Sequence, residues 1–344
     1  MILLFMLLII IFLSFISVYK CCLNPVSNKN KNIEFSIKKG DTYSTIAPIL
    51  EKKGLIKSSF FYKLYIKLNN PSELKVGLYK LNTNMDVKSL VNCLEKGTKY
   101  TLEMITYTIP EGWHFDEIAD YTEIVTNNSK QDIINVWESD EFINKVINKY
   151  WFVTEDVKKT DIRYALEGYF FPSTYYFINK DVKPDVIAFK MLDQMENILN
   201  KYKDKISSSN YTVHEILTMA SIIEHEAILD KERAKIASVF YNRLNNDMLL
   251  QSCATLGYAT GKWKLTYTYE DMANPSGYNT YLHKGLPIGP GNMPSEKSIE
   301  AALYPANTNY YYFMADVCDK KSLETYFAES YAQHQQNINK YLTC

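Results

Sequence analysis

The sequence lacks the patterns by which metal, serine and phosphate chemistries are usually recognised. Its 6 cysteines have no spacing typical of a metal site. His225–Glu226 and His214–Glu215 each begin a two-histidine zinc motif, but positions 229 and 218 are Leu and Thr. There is no Gly-x-Ser-x-Gly elbow and no Walker or dinucleotide glycine loop. We therefore predict neither a metal nor a cofactor.

An excess of charge of either sign is also missing. Lys and Arg number 38 against 39 Asp and Glu, and there is no dense basic run. This balance gives no electrostatic reason to expect nucleic acid, and we predict no nucleic-acid partner. With 344 residues, of which 47% are hydrophobic, the chain is long enough for two domains and a substantial core.

Residues 1–19 form an apolar run without a charge, which ends at Lys20 and is long enough to span a bilayer. A basic start and a small-residue cleavage site are not evident, so we predict an uncleaved membrane anchor. Lys20, Lys29 and Lys31 follow the run and none precedes it, a bias that by itself favours a cytoplasmic body.

A small α+β module follows the polar linker at 20–32. A strand at Ile33–Ile37 leads through a turn at Gly40 into a helix, and a second strand lies within 74–81. A further helix is expected to stop at Gly97. These elements define a module over 33–104, and a similar strand–turn–helix pattern opens at 109–121.

The helix predicted over Val213–Lys231 carries an acidic residue on its apolar face. At about 100° per residue, one face contains Val213, Leu217, Ala220, Glu224 and Ala227, whereas Glu215 and Glu226 project to the opposite face. Burial disfavours the charged form of a carboxyl group, which suits a general acid. Periodicity alone is equally compatible with a structural role, in which an Arg or Lys from elsewhere holds Glu224.

Residues 278–294 form a long Gly/Pro-rich segment, and a loop of that length inside a compact domain is usually functional. Beyond it the pattern predicts a helix stopped by Pro305, a strand within 309–316 and an amphipathic helix to Leu342.

Six segments resemble one known family. They are ALEGYFFPSTYYF at 165–177, MASIIEHEA at 219–227, ERAKIASVFYNRL at 232–244, LQSCATLGYATG at 250–261, YNTYLHKGLPIGPGNMP at 278–294 and EAALYPANTNYYYFMAD at 300–316. Their order is similar to that of the YceG-like, or MltG, endolytic murein transglycosylases. The resemblance implies a membrane anchor at 1–19, a LysM-like module at 33–104 and an α+β catalytic domain at 105–344. It also implies a body on the outer, cell-wall face, which outweighs the charge bias.

In that family the first Glu of the Ser-Ile-Ile-Glu-x-Glu segment is catalytic, and it matches Glu224. The resemblance implies cleavage of the MurNAc–GlcNAc bond within peptidoglycan strands without water, leaving 1,6-anhydro ends and terminating nascent strands beside wall-synthesis enzymes. One carboxyl then acts first as acid and afterwards as base. A glycoside hydrolase would need a second carboxylate. A non-catalytic wall-binding scaffold is the other alternative.

The resemblance also implies a set of substrate-binding residues: Gln251, Tyr278, Asn279 and Thr280. Two family aspartates are missing, because Cys253 and Ser173 stand at their positions. For the matched Glu167 we expect a packed ion pair with Arg243 or Arg233 rather than a part in catalysis.

Overall fold

The structure is a computed structural model that describes residues 2–38, 40–97, 105–177, 179–264, 266–316 and 324–342, with side chains from Phe12 onward. It contains two compact units. One comprises Met1–Tyr107 with Tyr176–Lys180, and the other comprises Thr108–Tyr175 with Asp181–Cys344. Each unit combines helices with a two-stranded sheet, so the predicted α+β class is confirmed.

In the first unit, strands β1 (Asn32–Ile37) and β2 (Gly77–Asn82) pair antiparallel. The helices of this unit are α1 (Ile2–Leu23), α2 (Tyr43–Lys52), α3 (Ser59–Asn69) and α4 (Val87–Lys96). α4 stops at Gly97, as predicted. The φ of Gly97 is +75°, and glycine adopts this backbone conformation at a lower cost than other residues do. Phe35 and Leu50 lie in an apolar core between the sheet and the helices.

The predicted anchor covers residues 1–19, of which 2–19 lie within α1 and residue 1 lies outside the described residues. Across the described part of the chain, no helix has both the length and the apolar character needed to cross a membrane.

The second unit is mainly helical. Strands β3 (Ile105–Thr108) and β4 (Thr174–Phe177) form one short sheet, and β5 (Tyr312–Ala315) pairs antiparallel with β6 (Thr325–Ala328). The helices are α5 (Phe115–Val125), α6 (Lys130–Trp137), α7 (Asp140–Lys149), α8 (Pro184–Leu199), α9 (Lys203–Ser207), α10 (Val213–Glu226), α11 (Arg233–Asn245), α12 (Cys253–Thr260), α13 (Tyr269–Met272), α14 (Glu296–Leu303) and α15 (Tyr331–Tyr341). The predicted strand within 309–316 and the helices before Pro305 and before Leu342 are confirmed.

Helix α10 lies at the centre of this unit and contacts α11, α12 and α14. It begins at a capping box, in which Thr212 and Glu215 each accept a hydrogen bond from the other's backbone N–H. Every side chain from Ile216 to Ile223 is buried. The helix is therefore enclosed on all sides along this stretch, not only along the predicted stripe.

The predicted end of this helix at Lys231 is wrong. The backbone becomes extended at Ala227, with φ −88° and ψ 114°, so α10 ends at Glu226. A short 3₁₀ turn over Asp230–Glu232 then leads into α11. This reversal brings Arg233, the first residue of α11, back towards the end of α10, where an uninterrupted helix would have carried it away.

Candidate active site

The Gly/Pro-rich loop lies along α10 and is held there by polar side chains of the helix. His214 Nε2 contacts the Ile288 carbonyl oxygen at 2.8 Å. The Gly291 N–H donates to Ser221 Oγ at 3.1 Å. His214 and Ser221 lie seven residues apart in α10. This is about two helical turns, so the two side chains lie on the same face. The loop predicted to be functional is thus fixed to the helix predicted to carry the acid.

Glu224 makes the last of these contacts. Its Oε2 accepts hydrogen bonds from the Ser295 backbone N–H at 2.8 Å and from Ser295 Oγ at 2.5 Å. Its Oε1 lies 3.2 Å from Arg233 Nη2. Only 7% of the Glu224 side chain and 9% of the Arg233 side chain is exposed. The two carboxylate oxygens are therefore oriented separately, one by the loop and one by α11.

Arg233 has further partners that fix its guanidinium group. Nη1 donates to Ser298 Oγ at 2.6 Å, and Nε donates to Asp230 Oδ1 at 3.2 Å. A planar guanidinium with three oriented contacts loses little further freedom on pairing with a carboxylate. The structural partner considered for Glu224 from periodicity is therefore present, and it also fixes the position of the carboxyl group.

A second acidic residue, Glu111, lies at this site and was not predicted from the sequence. The next residue, Gly112, lies against Glu224: a Cβ atom at Gly112 would be 3.7 Å from Glu224 Cγ. The Gly112 N–H donates to the Met293 carbonyl at 2.8 Å, which ties this turn to the Gly/Pro-rich loop. Burial and the charge of Glu224 raise the pKa of Glu111, whereas Arg233 lowers it. The strand–turn–helix pattern was visible in the sequence, but its closeness to Glu224 was not.

Two of the predicted substrate-binding residues have their polar side-chain atoms engaged within the fold. Asn279 Nδ2 donates to the carbonyls of Met272 and Asn274, at 2.9 and 2.7 Å. Thr280 Oγ1 accepts from the Ser252 N–H at 3.1 Å. Asn279 and Thr280 are 0% and 1% exposed, so contact between their side chains and a sugar would require the loop to open.

The other two lie at different places. Tyr278 is buried against Tyr258, with ring centroids 4.7 Å apart. Gln251 is exposed and lines a cavity of about 320 Å³ together with Glu226 and Arg243. Its φ of +52° is uncommon for a residue other than glycine. The Gln251 N–H donates to the Thr280 carbonyl at 3.1 Å, which joins the two segments. Glu224 instead contacts Ser295, the residue that directly follows the loop.

The expected outward orientation of Glu226 is wrong. Its Oε1 accepts a hydrogen bond from Ser252 Oγ at 2.5 Å, and burial raises its pKa. The face of α10 opposite Glu224 is covered by the segment that begins α12. The helical period of α10 alone cannot reveal this tertiary contact.

The expected partner of Glu167 is also wrong. Its carboxylate accepts from the Phe115 N–H at 3.0 Å and from Tyr258 Oη at 2.9 Å, while Arg233 pairs with Glu224 instead. Arg243 donates to backbone carbonyl oxygens, among them that of Leu250 at 2.9 Å. Glu167 is therefore held by a backbone N–H and a tyrosine hydroxyl group, where an arginine was expected.

Within the ranges that the structure describes, no cluster of three or more His, Cys, Asp or Glu side chains is placed to hold a metal ion. The groups in contact with the Glu224 carboxylate are the N–H and hydroxyl of Ser295 and the guanidinium of Arg233. Fold and site together define an α+β protein with a buried glutamate held beneath a Gly/Pro-rich loop.

Comparison with known proteins agrees with this description. The chain matches the YceG-like family over residues 35–340. It is 37% identical over 327 residues to the endolytic murein transglycosylase of Bacillus subtilis strain 168, covering 94% of this chain and 89% of that protein. It is 35% identical over 331 residues to the endolytic murein transglycosylase of Streptococcus pneumoniae serotype 2, covering 92% of this chain and 59% of that longer protein.

A crystal structure of a YceG-like protein from Listeria monocytogenes is also similar. It superposes with a TM-score of 0.63 at 37% sequence identity, covering 90% of this chain and 99% of that one. The chain belongs to the YceG-like family.

Proposed function

We propose that this protein is an endolytic murein transglycosylase that cleaves the MurNAc–GlcNAc bond within peptidoglycan strands and leaves 1,6-anhydro ends. The observation that carries the proposal is the placement of Glu224, whose carboxyl group is oriented by Ser295 and Arg233 beside the turn at Gly112. The names of the relatives from Bacillus subtilis and Streptococcus pneumoniae support the substrate class.

In this reaction Glu224 serves twice. As a carboxylic acid it gives its proton to the glycosidic oxygen, and the bond between that oxygen and C1 of MurNAc breaks. As a carboxylate it then takes the proton of the C6 hydroxyl group while O6 forms a bond with C1. The acid is regenerated and no water is consumed. Ser295 and Arg233 keep the carboxyl group in place through both steps, and such preorganisation lowers the cost of each proton transfer.

Glu224→Gln tests the proposal. The amide keeps the size of the side chain and a carbonyl oxygen for Ser295, but it cannot transfer the proton. We expect a folded protein that releases no anhydro-ended glycan from purified murein, measured by mass spectrometry. Glu215→Gln, an equal change in the first turn of α10, is the matched control and should retain activity. Full activity of Glu224→Gln would overturn the proposal. Binding of murein without turnover by the wild type would favour a non-catalytic scaffold instead.

A glycoside hydrolase is a second candidate, and Glu111 is the observation that favours it. A carboxylate near the acid could activate a water molecule, as hydrolases require. The two reactions differ in the origin of the new oxygen at C1. Digestion in isotopically labelled water would place the label at the reducing end in a hydrolase, whereas the anhydro product of a transglycosylase carries none.

We also propose the domain plan implied by the sequence: residues 1–19 as a single-pass anchor, a linker at 20–32, a LysM-like module at 33–104 that approaches glycan, and a catalytic domain at 105–344 on the outer face of the membrane. The uncharged apolar run at the N-terminus supports the anchor. Sedimentation with membranes that is lost on deleting residues 1–19, and digestion by protease added outside spheroplasts, would test the anchor and its orientation.

A further inference from the structure

The rings of His114, His225 and Trp263 form a compact cluster, called the stack below, in which each plane lies within 24° of the other two. The ring centroids of His225 and Trp263 are 4.9 Å apart at an angle of 24°. Those of His114 and Trp263 are 5.1 Å apart at 24°, and those of His114 and His225 are 5.3 Å apart at 17°. Trp263 nevertheless remains 51% exposed. A large indole is therefore supported by two imidazoles while half of its surface stays open to solvent.

Contacts with residues outside the stack hold two of its rings in place. His114 Nδ1 lies 2.5 Å from the Gly291 carbonyl oxygen, which attaches the ring to the Gly/Pro-rich loop. The indole also packs against the backbone of Gly257, where an added Cβ atom would lie 2.6 Å from Cε3 of Trp263. A glycine at 257 is therefore required for the indole to occupy this position.

The imidazole of His225 has a lowered pKa. Burial of the ring and the charge of His114 lower the pKa of His225 to about 4, although Glu224 acts in the opposite direction. The exposed part of the Trp263 indole is a flat apolar face. Such a face suits the C–H surface of a sugar ring, as flat amphipathic side chains do in general.

Beside the stack lies a cavity of about 220 Å³. Trp263, His114 and Tyr258 form its aromatic side, and Asp116, Glu117 and Arg163 are among its polar lining residues. Pockets for drug-sized ligands are about 300–1,000 Å³, so this cavity suits one ring of a chain rather than a long segment. Ring faces on one side and fixed polar groups on the other match a hexosamine, which has C–H faces and hydroxyl and amide edges.

The stack is continuous with the proposed acid. His225 follows Glu224 directly at the end of α10, and His114 lies two residues beyond Gly112, the glycine packed on Glu224. The loop that binds His114 through Gly291 binds Glu224 through Ser295. A sugar on Trp263 would therefore be close to the bond on which Glu224 acts.

We propose that Trp263, supported by His114 and His225, is the stacking surface of a subsite for an N-acetylated hexosamine ring of the glycan strand, next to the cleavage position. The subsite rests on the proposed function, because it assumes that the strand lies across Glu224. It adds a binding residue from a segment outside the predicted substrate-binding set of Gln251, Tyr278, Asn279 and Thr280.

The test separates binding from chemistry by working in full-length Glu224→Gln protein. Peptide-free glycan strands prepared from murein are titrated by calorimetry into this parent and into the same protein carrying Trp263→Ala or Trp263→Phe. We expect Trp263→Ala to weaken binding at least tenfold and Trp263→Phe to weaken it much less, because a ring face remains. Glycan should also change the tryptophan fluorescence of the parent, and this change should be largely lost in Trp263→Phe, a signature that a purely structural role would not produce.

Tyr304→Ala is the matched control, since Tyr304 is also 51% exposed but its ring faces Lys205. It should bind like the parent. The subsite is refuted if Trp263→Ala binds as tightly as the parent while keeping its melting temperature, or if the parent binds no glycan. Failure of the proposed function looks different: Glu224→Gln alone would then cleave murein normally, whatever Trp263 does.

Discussion

Arg233 and Glu224 form an ion pair that is almost fully buried, with Nη2 and Oε1 3.2 Å apart at the junction of α10 and α11. A buried pair of this kind contributes little net stability, because desolvation of both charges offsets their attraction. Its effect is to fix geometry. The contact therefore fills the structural role that periodicity left open for Glu224, and it also holds the carboxyl group in place for the catalytic role proposed above.

Arg233→Gln should be strongly destabilising, because it leaves the buried carboxylate without a cationic partner. Breaking such a pair costs about 3–5 kcal/mol, and Arg233 also loses its contacts with Ser298 and Asp230. The double variant Arg233→Gln with Glu224→Gln should recover part of this loss, since no unpaired charge remains. Denaturant unfolding of the four proteins gives the coupling energy. A double variant no more stable than Arg233→Gln alone would contradict this assignment.

Ser295→Ala separates capping from catalysis. Ser295 caps α14 by accepting a hydrogen bond from the Ser298 N–H, and its Oγ also donates to Glu224. Loss of the cap should cost about 1 kcal/mol of stability. Loss of a hydrogen bond to a charged group, worth about 1.5–3 kcal/mol, should lower the rate of glycan release roughly 10- to 100-fold.

The control for this change is Ser330→Ala, which removes the equivalent cap of α15. It should show a similar fall in melting temperature with unchanged murein cleavage. Equal activity of the two variants would mean that the Ser295 hydroxyl has no part in positioning the acid.

Much of the site's local structure could be predicted from single segments. The start of α10 and the inward position of Glu224 follow from helical period, and the irregular 278–294 loop follows from glycine and proline content. The surroundings of Glu226 could not be predicted, because other elements cover α10 on several faces. The helical period of the α10 sequence identifies only its most apolar face. The closeness of Glu111 depends on a tertiary contact between distant segments, and no short-range pattern encodes it.

Glu111→Gln distinguishes the two reaction classes. Burial and the charge of Glu224 raise the pKa of Glu111, which places the two carboxyl groups within electrostatic reach of each other. Under the proposed mechanism the variant still releases anhydro ends, because Glu224 carries out both proton transfers. Under the hydrolase alternative Glu111 would be the base, and turnover would be lost.

The measurement is product mass and rate, with Glu270→Gln as the control. Glu270 is exposed in α13, and its replacement by Gln removes one negative charge in the same way. Loss of turnover in Glu111→Gln but not in Glu270→Gln would contradict the proposed mechanism and favour the hydrolase.

Glu167 should make the stability of the protein depend on pH. The residue is 1% exposed, and burial raises its pKa to about 8. Because this lies above the usual value of 4.5, the folded state binds more protons than the unfolded state between the two values. Its contribution to stability is therefore complete below the unfolded pKa and is lost as pH rises through the folded pKa. The slope attributable to one such group is at most about 1.4 kcal/mol per pH unit.

Glu167→Gln removes this titration while keeping a carbonyl oxygen for the Phe115 N–H and an amide that can donate to Tyr258 Oη. The free energy of unfolding of the wild type minus that of the variant should therefore decrease when both are measured first at about pH 5 and then at about pH 8. Titrating groups that the two proteins share, including Glu138, whose pKa burial raises to about 7, cancel in this difference. The same difference at both pH values would mean that Glu167 keeps an ordinary pKa, and that Phe115 and Tyr258 offset its burial completely.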